Sequence, residues 1–215
     1  ILAGARPNFI KIAPLYAALV KREVSVFLVH TGQHYTPRMS DIFFDELGIP
    51  EPAVSLDIGP GDRLTQTRKI MSALVPLLTE QQPDALLVVG DVTSTAAGAM
   101  AGVMANVPVI HVEAGLRSFN WRMPEELNRM IADHYAQYHF VSDPSGIQHL
   151  LDEAMPKKQI RFVGNVMIDT LRKFEAKASE SQILTQLGLK TGDYGLLTLH
   201  RPENVDRRWV LRDLW

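Results

Sequence analysis

The sequence predicts an α/β fold built on a doubly wound parallel sheet of the Rossmann-like type. Short, continuous apolar runs alternate along the chain with segments whose apolar residues recur at the spacing of a helix. This alternation is typical of parallel sheets with helices on both faces, whose strands are buried on both sides. The 215 residues, 46% of them hydrophobic and 21% charged, are enough for one well-formed core and the start of a second.

The composition limits which partners the protein is expected to bind and in which compartment it is expected to occur. The net charge of −2 gives no overall field that would favour nucleic acid. The sequence has no cysteine, which excludes disulfides, thiol nucleophiles and cysteine metal sites and fits a cytoplasmic protein. No apolar run approaches the length of a membrane helix, and no signal segment leads the chain. We therefore expect a cytoplasmic protein with neither a nucleic-acid nor a membrane partner.

In the first half of the chain, each expected strand is an apolar run that stops at a polar or glycine-containing turn. These strands cover residues 1–4, 25–29, 54–56 and 85–89. The expected helices, recognised by their apolar spacing, cover residues 9–21, 40–47, 62–82 and 93–106. Gly48 closes the second of these helices. The fourth is rich in alanine and glycine, which allows it to pack closely on the sheet.

The stretch 108–129 holds the most informative strand and helix. Residues 109–112 form an apolar strand that breaks at Glu113 and continues into a polar loop. A helix begins at Pro124, the favoured first helical residue, with Glu125 and Glu126 in its positively polarised first turn. The same alternation then continues. Strands are expected at 138–141 and 160–163, and helices at 144–153 and 166–177.

A polar stretch that ends in two glycines indicates a domain boundary near residue 178. We predict an N-terminal Rossmann-like domain, a linker region and the start of a second Rossmann-like domain, at residues 1–177, 178–192 and 193–215. A strand over 194–199 would open the second domain. The chain begins inside an expected strand without an initiator methionine and stops in an expected helix. We therefore expect a fragment of a longer protein.

Three carboxylates are the candidate acid–base groups, because ligands of open α/β sheets bind at the carboxyl ends of the strands. Glu113 lies where an apolar strand ends, which makes it the strongest of the three. Asp91 follows the most hydrophobic strand, although capping of the helix at Thr93 is a slightly favoured alternative. Glu125 has a strong structural alternative, which is stabilisation of the helix dipole.

Several cations accompany these carboxylates. Arg6 and Lys11 flank the first strand-to-helix turn, where the N–H groups of a helix already attract anions. Solvated surface charge is an equally weighted alternative for this pair. The focal strand is followed by three further arginines, Arg117, Arg122 and Arg129. Carboxylates and cations together favour a site that combines acid–base chemistry with anion binding.

Histidines at two strand ends are further candidates. His200 opens a polar turn with Arg201 and could shuttle protons near neutral pH, with an ordinary surface turn as the alternative. His34 and Gln33 follow the second strand and could bind a polar ligand. His111 lies inside a strand and is better explained as a satisfied core histidine. The sequence has no dinucleotide fingerprint, P-loop, nucleophile elbow or metal-ligand spacing.

Assembled in order, these residues match the motifs of a known family. The matching segments are residues 4–11 (GARPNFIK), 31–34 (TGQH), 90–91 (GD), 111–117 (HVEAGLR), 124–129 (PEELNR), 164–165 (GN) and 200–204 (HRPEN). They occur in the family's order and run nearly end to end, so their combination is specific although each alone is weak. The sequence thus resembles the non-hydrolysing UDP-N-acetylglucosamine 2-epimerase family.

The resemblance implies a glycosyltransferase-B-type architecture of two Rossmann-like domains with the active site in the cleft, of which this chain supplies the N-terminal half. It implies a UDP-sugar substrate and interconversion of UDP-N-acetylglucosamine and UDP-N-acetylmannosamine by elimination and re-addition of UDP. It also implies a homodimer and no metal or nicotinamide cofactor. Because the family's C-terminal domain carries most of the nucleotide contacts, we expect this chain alone to be inactive.

The same resemblance assigns roles to individual residues. The family's catalytic groups match Asp91, Glu113, Glu125 and His200. Arg6 and Lys11 match residues that hold phosphate, and we count Arg117 and Arg129 as further candidates for this role. In bacterial members a second UDP-N-acetylglucosamine acts as an allosteric activator. The segments that bind this activator correspond here to those with Gln33, His34, Arg201 and Glu203.

Two residues depart from the common pattern of the family. Asn8 and Phe9 stand where many members have Glu-Ala, and this variant resembles relatives that act on other UDP sugars, such as diacetamido uronic acids. The first alternative is therefore an epimerase of another UDP-amino sugar. Three others also stay open, namely a hydrolysing epimerase, a glycosyltransferase of the same architecture and a nucleotide-sugar-binding domain. Elimination chemistry at two carboxylates speaks against the transferase.

Overall fold

A computed structural model describes residues 1–4, 6–32, 44–199 and 202–215, without the side chains at positions 6 and 202. These residues form two compact units, Ile1–Lys173 and Phe174–Trp215. The first unit contains parallel strands that alternate with helices, which confirms the predicted α/β, Rossmann-like class. No helix in the described ranges is long and apolar enough to cross a membrane.

Every strand pair among the described residues of the first unit is parallel. The strands are β1 (Leu2–Ala3), β2 (Val29–His30), β3 (Val54–Ser55), β4 (Leu86–Val89), β5 (Val109–Ala114), β6 (Tyr138–Val141) and β7 (Ile160–Phe162). Hydrogen bonds join β1–β2–β3 and β4–β5–β6–β7 in these orders, and β1 contacts β4. Chain order therefore reverses between β1 and β4, which is the point where open α/β sheets bind ligands.

Helices connect these strands and continue into the second unit. They are α1 (Arg6–Val20), α2 (Arg63–Gln81), α3 (Thr93–Met104), α4 (Pro124–Tyr135), α5 (Pro144–Asp152), a 3₁₀ turn (Lys157–Gln159), α6 (Val166–Ser179), α7 (Ile183–Gln186), α8 (Pro202–Val205) and α9 (Arg208–Leu214). Asp62 caps α2, because its carboxylate accepts a hydrogen bond of 2.9 Å from the Thr65 N–H, as expected for a helix that starts there.

The core lies between the sheet and helices α2 and α3. A Cβ on Gly98 would lie 2.5 Å from Leu2 Cδ2, and one on Gly102 would lie 2.5 Å from Val109 Cγ2. Both contacts are shorter than carbon atoms allow, so these glycines let α3 approach the strands closely. The prediction that the alanine- and glycine-rich helix packs tightly on the sheet is confirmed.

Two expected strands differ from the structure. The strand expected at 25–29 is realised only at Val29–His30. The helix expected at 40–47 is helical over 44–47, and residues 40–43 lie outside the described residues. The strand expected at 194–199 is not formed. An apolar run becomes a strand only when a neighbouring strand pairs with it, and Leu196 in this run is 89% exposed. The break between the units lies inside α6, four residues before our predicted boundary.

Candidate active site

Asn8 ties together the two strand ends at the reversal of strand order. Its Oδ1 accepts a hydrogen bond of 3.2 Å from the Gly4 N–H, which follows β1. Its Nδ2 donates a hydrogen bond of 2.9 Å to the Val89 carbonyl at the end of β4. The side chain is buried. Asn8 therefore fixes the spacing of the edge on which the candidate site is built.

Lys11 and Glu113 form an ion pair at this edge. Lys11 comes from the second turn of α1 and Glu113 from β5, and their side chains are 9% and 19% exposed. Gly90 lies beside the ammonium group, since a Cβ at that position would be 3.1 Å from Lys11 Nζ. The glycine also has a φ of +72°, which a side chain would disfavour. A glycine at the end of β4 thus makes room for the lysine.

The backbone at Glu113 is strained. Its φ is +71°, and the pairing register with β6 shifts between Val112 and Ala114. A non-glycine residue in this region costs about 1–3 kcal/mol and persists where the surroundings enforce it, often at functional sites. The following Gly115 has a φ of +79°, and a Cβ there would lie 2.3 Å from the Gly146 carbonyl oxygen. The fold therefore holds Glu113 in one unusual orientation.

Asp91 pairs with Arg129 of α4 instead of capping a helix. The N-cap position of α3 belongs to Val92, which has no side-chain capping bond, so our slightly favoured capping prediction is wrong. Asn128 Nδ2 donates a hydrogen bond of 2.9 Å to the Asp91 carbonyl oxygen. Asp91 does not cap the helix because Arg129, a cation 38 positions away in sequence, is a stronger partner for its carboxylate than a backbone N–H.

The two glutamates at the start of α4 have different environments. Glu125 is exposed, and its carboxylate makes no hydrogen bond within the part of the chain that is described. Glu126 is buried and accepts hydrogen bonds of 2.8 Å from the Ser118 N–H and hydroxyl and 3.1 Å from the Phe119 N–H. Burial alone would raise the pKa of Glu126, but these bonds and Arg129 hold it below its usual value.

Arg117 is occupied by two carboxylates. It donates to Glu153 through Nε and Nη2, at 2.7 and 2.6 Å, and to Asp133 through Nη1 at 2.7 Å. Its side chain is 1% exposed. Burial would lower the pKa of Arg117, but the two carboxylates raise it above its usual value. This geometry gives Arg117 a structural role and lends no support to our expectation that it binds phosphate.

His111 is a satisfied core histidine, as predicted. Its Nδ1 lies 2.6 Å from Asp133 Oδ1, and its Nε2 lies 2.8 Å from the Gly90 carbonyl oxygen. Asp133 Oδ2 also accepts a hydrogen bond of 3.1 Å from the Gly115 N–H. Burial would raise the pKa of Asp133, but His111 and Arg117 hold it below its usual value. Sequence analysis missed Asp133, although it shares a helical face with Glu126 and Arg129 through intervals of three and four residues.

Five predicted site residues lack a described side chain. Gln33, His34, His200 and Arg201 lie outside the described residues, and Arg6 is described only as the first residue of α1. Glu203 is exposed in α8 of the second unit. Across the described ranges, no group of three or more histidine, aspartate or glutamate side chains could hold a metal ion.

A cavity of about 450 Å³ lies at the opposite edge of the strands. Its lining comes mainly from the residues that precede β2 and β4 and is largely aliphatic, with Leu19, Val26 and Leu77 as examples. The carboxylates and cations described above lie at the carboxyl ends instead. Because acid–base chemistry requires such groups, we place the candidate site at the carboxyl ends and not in this cavity.

The candidate site thus contains two carboxylates, Asp91 and Glu113, each paired with a cation at the reversal of strand order. Gly90 connects the two pairs, because it precedes Asp91 and lies against Lys11. Glu113, Asp91 and Arg129 are partly exposed, whereas Lys11 is buried. The arrangement can abstract or donate a proton and can hold a polyanion beside the proton-transfer groups.

Comparison with known proteins gives a consistent match. The profile of the UDP-N-acetylglucosamine 2-epimerase family matches residues 17–214. The UDP-N-acetylglucosamine 2-epimerase of Methanocaldococcus jannaschii is 39% identical over 217 residues, which cover 100% of this chain and 59% of that protein. The UDP-2,3-diacetamido-2,3-dideoxy-D-glucuronate 2-epimerase of Pseudomonas aeruginosa is 40% identical, with coverage of 95% and 58%.

Solved structures give the same result. The crystal structure of the Methanocaldococcus jannaschii UDP-GlcNAc 2-epimerase in complex with UDP-GlcNAc and UDP superposes with a TM-score of 0.90 at 37% identity. The match covers 99% of this chain and 59% of that one. The UDP-GlcNAc 2-epimerase from Neisseria meningitidis bound to UDP-GlcNAc has a TM-score of 0.79 at 32% identity, with coverage of 86% and 51%.

Proposed function

The chain belongs to the UDP-N-acetylglucosamine 2-epimerase family, and from this premise we propose that the full-length protein interconverts UDP-N-acetylglucosamine and UDP-N-acetylmannosamine. The chain spans 59% of the Methanocaldococcus jannaschii relative, so the activity is proposed for the full-length protein. The observation that carries the proposal is the meeting of the Lys11–Glu113 and Asp91–Arg129 pairs at the carboxyl ends of the strands.

The proposed reaction is an elimination followed by an addition. A carboxylate takes the proton from C2 of the sugar, the C2–H electron pair forms the C1–C2 double bond, and the C1–O electron pair leaves with UDP. The products are 2-acetamidoglucal and UDP. In the reverse step, UDP oxygen attacks C1 and an acid delivers a proton to the other face of C2. Protons and electrons balance without any oxidant or reductant.

Asp91 and Glu113 supply the two proton-transfer groups in this proposal. C2 bears a weakly acidic hydrogen, so its removal requires a positioned base, and inversion requires an acid on the opposite face. Glu113 is held in one orientation by its strained backbone, and Asp91 is oriented by Arg129 and by the Asn128 amide. Both carboxylates remain accessible to a substrate, since they are 19% and 24% exposed.

Lys11 and Arg129 supply positive charge near the departing diphosphate. Negative charge grows on the phosphate oxygens as the C1–O bond breaks, and fixed cations stabilise that charge most where water is excluded. Both cations are bound to carboxylates in the structure, so a diphosphate would share them with these groups. Such sharing weakens the hold of Lys11 on Glu113 and leaves the carboxylate freer to accept a proton.

The remaining roles rest on the family resemblance. We propose that Glu125 and His200 join the catalytic groups and that Arg6 holds phosphate. A homodimer and a second, activating UDP-N-acetylglucosamine bound near Gln33, His34, Arg201 and Glu203 belong to the same proposal. A cytoplasmic location and a role in making precursors of surface polysaccharides follow from it.

A second candidate substrate is UDP-2,3-diacetamido-2,3-dideoxy-D-glucuronate. The relative from Pseudomonas aeruginosa named for it is 40% identical over 95% of this chain, much like the relative from Methanocaldococcus jannaschii. Asn8, which this chain has in place of the more common glutamate, forms two hydrogen bonds at the strand ends of the site. The reaction at C2 would be the same, because it does not involve the substituents at C3 or C5.

Rapid quenching with mass spectrometry tests the proposal. The full-length protein is mixed separately with the two UDP sugars, and the quenched samples are searched for free UDP and the matching glycal. Formation of the glycal and the C2 epimer from UDP-N-acetylglucosamine supports the proposed function. If only the uronate gives its own glycal and C2 epimer, the uronate is the substrate. Release of free N-acetylmannosamine with UDP would instead support a hydrolysing enzyme.

A further inference from the structure

A buried pair of residues connects the two strand ends that carry Asp91 and Glu113. Asp133 of α4 and His111 of β5 have no solvent exposure. Through His111, the pair reaches the Gly90 carbonyl oxygen at 2.8 Å. Through its own Oδ2, Asp133 accepts from the Gly115 N–H at 3.1 Å.

The hydrogen-bond partners of His111 determine its protonation state. Nδ1 faces a carboxylate oxygen of Asp133 and Nε2 faces the Gly90 carbonyl oxygen, and both of these atoms are acceptors. Asp133 also accepts hydrogen bonds from the Gly115 N–H and Arg117, which favours its ionised form. Both ring nitrogens of His111 therefore face acceptors, and a ring with a proton on each nitrogen satisfies both contacts.

We infer that Asp133 and a doubly protonated His111 are positioning residues, which hold the two catalytic carboxylates in their relative placement. Gly90 directly precedes Asp91, and Gly115 lies two residues after Glu113. Gly90, Glu113 and Gly115 all have positive φ angles, of +72°, +71° and +79°. A non-glycine residue such as Glu113 is kept in this conformation by its surroundings. Here the surroundings include one buried carboxylate that bonds the Gly115 N–H directly and is joined to the Gly90 carbonyl oxygen through His111.

The other charged and titratable neighbours of the pair complete its surroundings. Arg117 donates a hydrogen bond of 2.7 Å to Asp133 and binds Glu153 on its far side. His139 on β6 is the register partner of His111, and its Nε2 lies 2.8 Å from the Asp133 carbonyl oxygen. One buried carboxylate is thus hydrogen-bonded to Arg117 and to His111, and such bonds strengthen one another in a low-dielectric interior.

Two substitutions of Asp133 separate the hydrogen bonds from the charge. In Asp133→Asn, the amide oxygen can accept from the Gly115 N–H and Arg117 while its NH₂ donates to His111 Nδ1. His111 then becomes neutral with its proton on Nε2, and the bond to Gly90 survives. In Asp133→Ala, the bond to the Gly115 N–H is lost, and His111 no longer joins the Gly90 turn to the Gly115 turn. The catalytic part of this inference rests on the proposed function, whereas the protonation of His111 does not.

The first measurement is NMR of the full-length protein labelled with ¹⁵N-histidine, with the His111 signal assigned by its loss in His111→Phe. We expect protons on both ring nitrogens at pH 7.5 in the parent protein and on one nitrogen in Asp133→Asn. A neutral His111 in the parent protein would overturn the protonation assignment. This readout needs no substrate, so it stands even if the proposed epimerase activity fails.

The second measurement is steady-state kinetics of C2 epimerisation. A misplacement of about 1 Å costs about 100-fold in rate, so we expect Asp133→Ala and His111→Phe to lower kcat by about that factor and to change KM by less than about 3-fold. Asp133→Asn should restore kcat to within about 3-fold of the parent protein.

Unchanged kcat in a folded Asp133→Ala or His111→Phe protein would overturn the positioning role. Should both variants fail to fold, a large loss of kcat in folded Asp133→Asn would overturn it. An inactive parent protein would refute the proposed function instead.

Discussion

The Lys11 ammonium pairs with the Glu113 carboxylate, so that helix α1 and the end of strand β5 meet in one ion pair. The pair joins two segments about 100 positions apart in sequence, residues 4–11 and 111–117, on which the sequence resemblance to the family partly rests. It lies at the reversal of strand order, against Gly90 and close to the Asp91–Arg129 pair. The proposed function therefore depends first on Glu113, and then on Gly90, which leaves room for Lys11.

Replacement of Glu113 by glutamine should remove a proton-transfer group without unfolding the protein. An amide cannot take the C2 proton, and acid–base groups of this kind contribute about 100- to 10,000-fold in rate. We expect kcat of the full-length protein to fall by that range while its circular dichroism spectrum is unchanged. Glu80→Gln, on the exposed surface of α2, is the matched control and should keep normal turnover. Normal turnover in Glu113→Gln would remove this carboxylate from the mechanism.

Gly90→Ala should disturb the lysine that lies beside it. The new Cβ would lie 3.1 Å from Lys11 Nζ in a backbone with a φ of +72°. Gly59→Ala is a close control, because Gly59 has a φ of +68° but nothing within 4 Å of the added carbon. Both variants should lose about 1 kcal/mol or more of unfolding free energy through backbone strain. Only Gly90→Ala should also raise KM for the UDP sugar, and equal kinetics in both would argue against the placement of Lys11.

Arg117 should prove essential for stability and not for phosphate binding. Its guanidinium is buried between Asp133 and Glu153, and loss of one partner from such a buried network costs about 3–5 kcal/mol. We expect that loss for Arg117→Gln in urea denaturation. Arg122→Gln changes an exposed residue of the same loop and should shift stability by less than about 0.5 kcal/mol. A stable Arg117→Gln protein with weakened UDP binding would reverse the assignment.

Glu126 should contribute stability that disappears in acid. In the folded protein the pKa of Glu126 is below its ordinary value, whereas in the unfolded protein the pKa is about 4.3. The contribution is therefore complete above the unfolded pKa and is lost as the pH falls through the folded one. Glu126→Gln should cost about 1–3 kcal/mol at neutral pH, because its NH₂ group would face the N–H donors of the loop.

A pH series of urea denaturation checks this prediction for Glu126. The difference in unfolding free energy between the parent protein and Glu126→Gln should be constant from pH 6 to 8 and should shrink below about 4.3. A difference that stays constant in acid would mean that the hydrogen bonds from Ser118 and Phe119 do not lower the pKa of Glu126.

Local sequence patterns predicted most of the first unit. Apolar runs gave the strands around β4 to β7, and Asp62 and Pro124 predicted the starts of α2 and α4 through capping and helix-start preferences that act over a few residues. The strand expected at 194–199 was wrong because strand formation depends on a pairing partner. Nothing in the run itself specifies such a partner.

The sequence predicted which residues make up the candidate site better than it predicted their contacts. Glu113, Asp91, Lys11 and Arg129 were all selected, but the capping role of Asp91 was wrong because its partner, Arg129, lies on another element. Asp133 was not selected at all. Its importance arises from contacts with residues 16 to 22 positions away, which appear only once α4 packs on β5.

The most direct test of the central claim is proton NMR of UDP-N-acetylglucosamine incubated with the full-length protein in deuterated water. Abstraction of the C2 proton by a carboxylate at the Asp91–Glu113 edge predicts the manno epimer with deuterium at C2 and the UDP linkage retained. The Glu113→Gln protein should form the epimer at least about 100-fold more slowly than the parent protein. Epimer formed with the original proton still on C2 would contradict proton transfer at these carboxylates and, with it, the proposed mechanism.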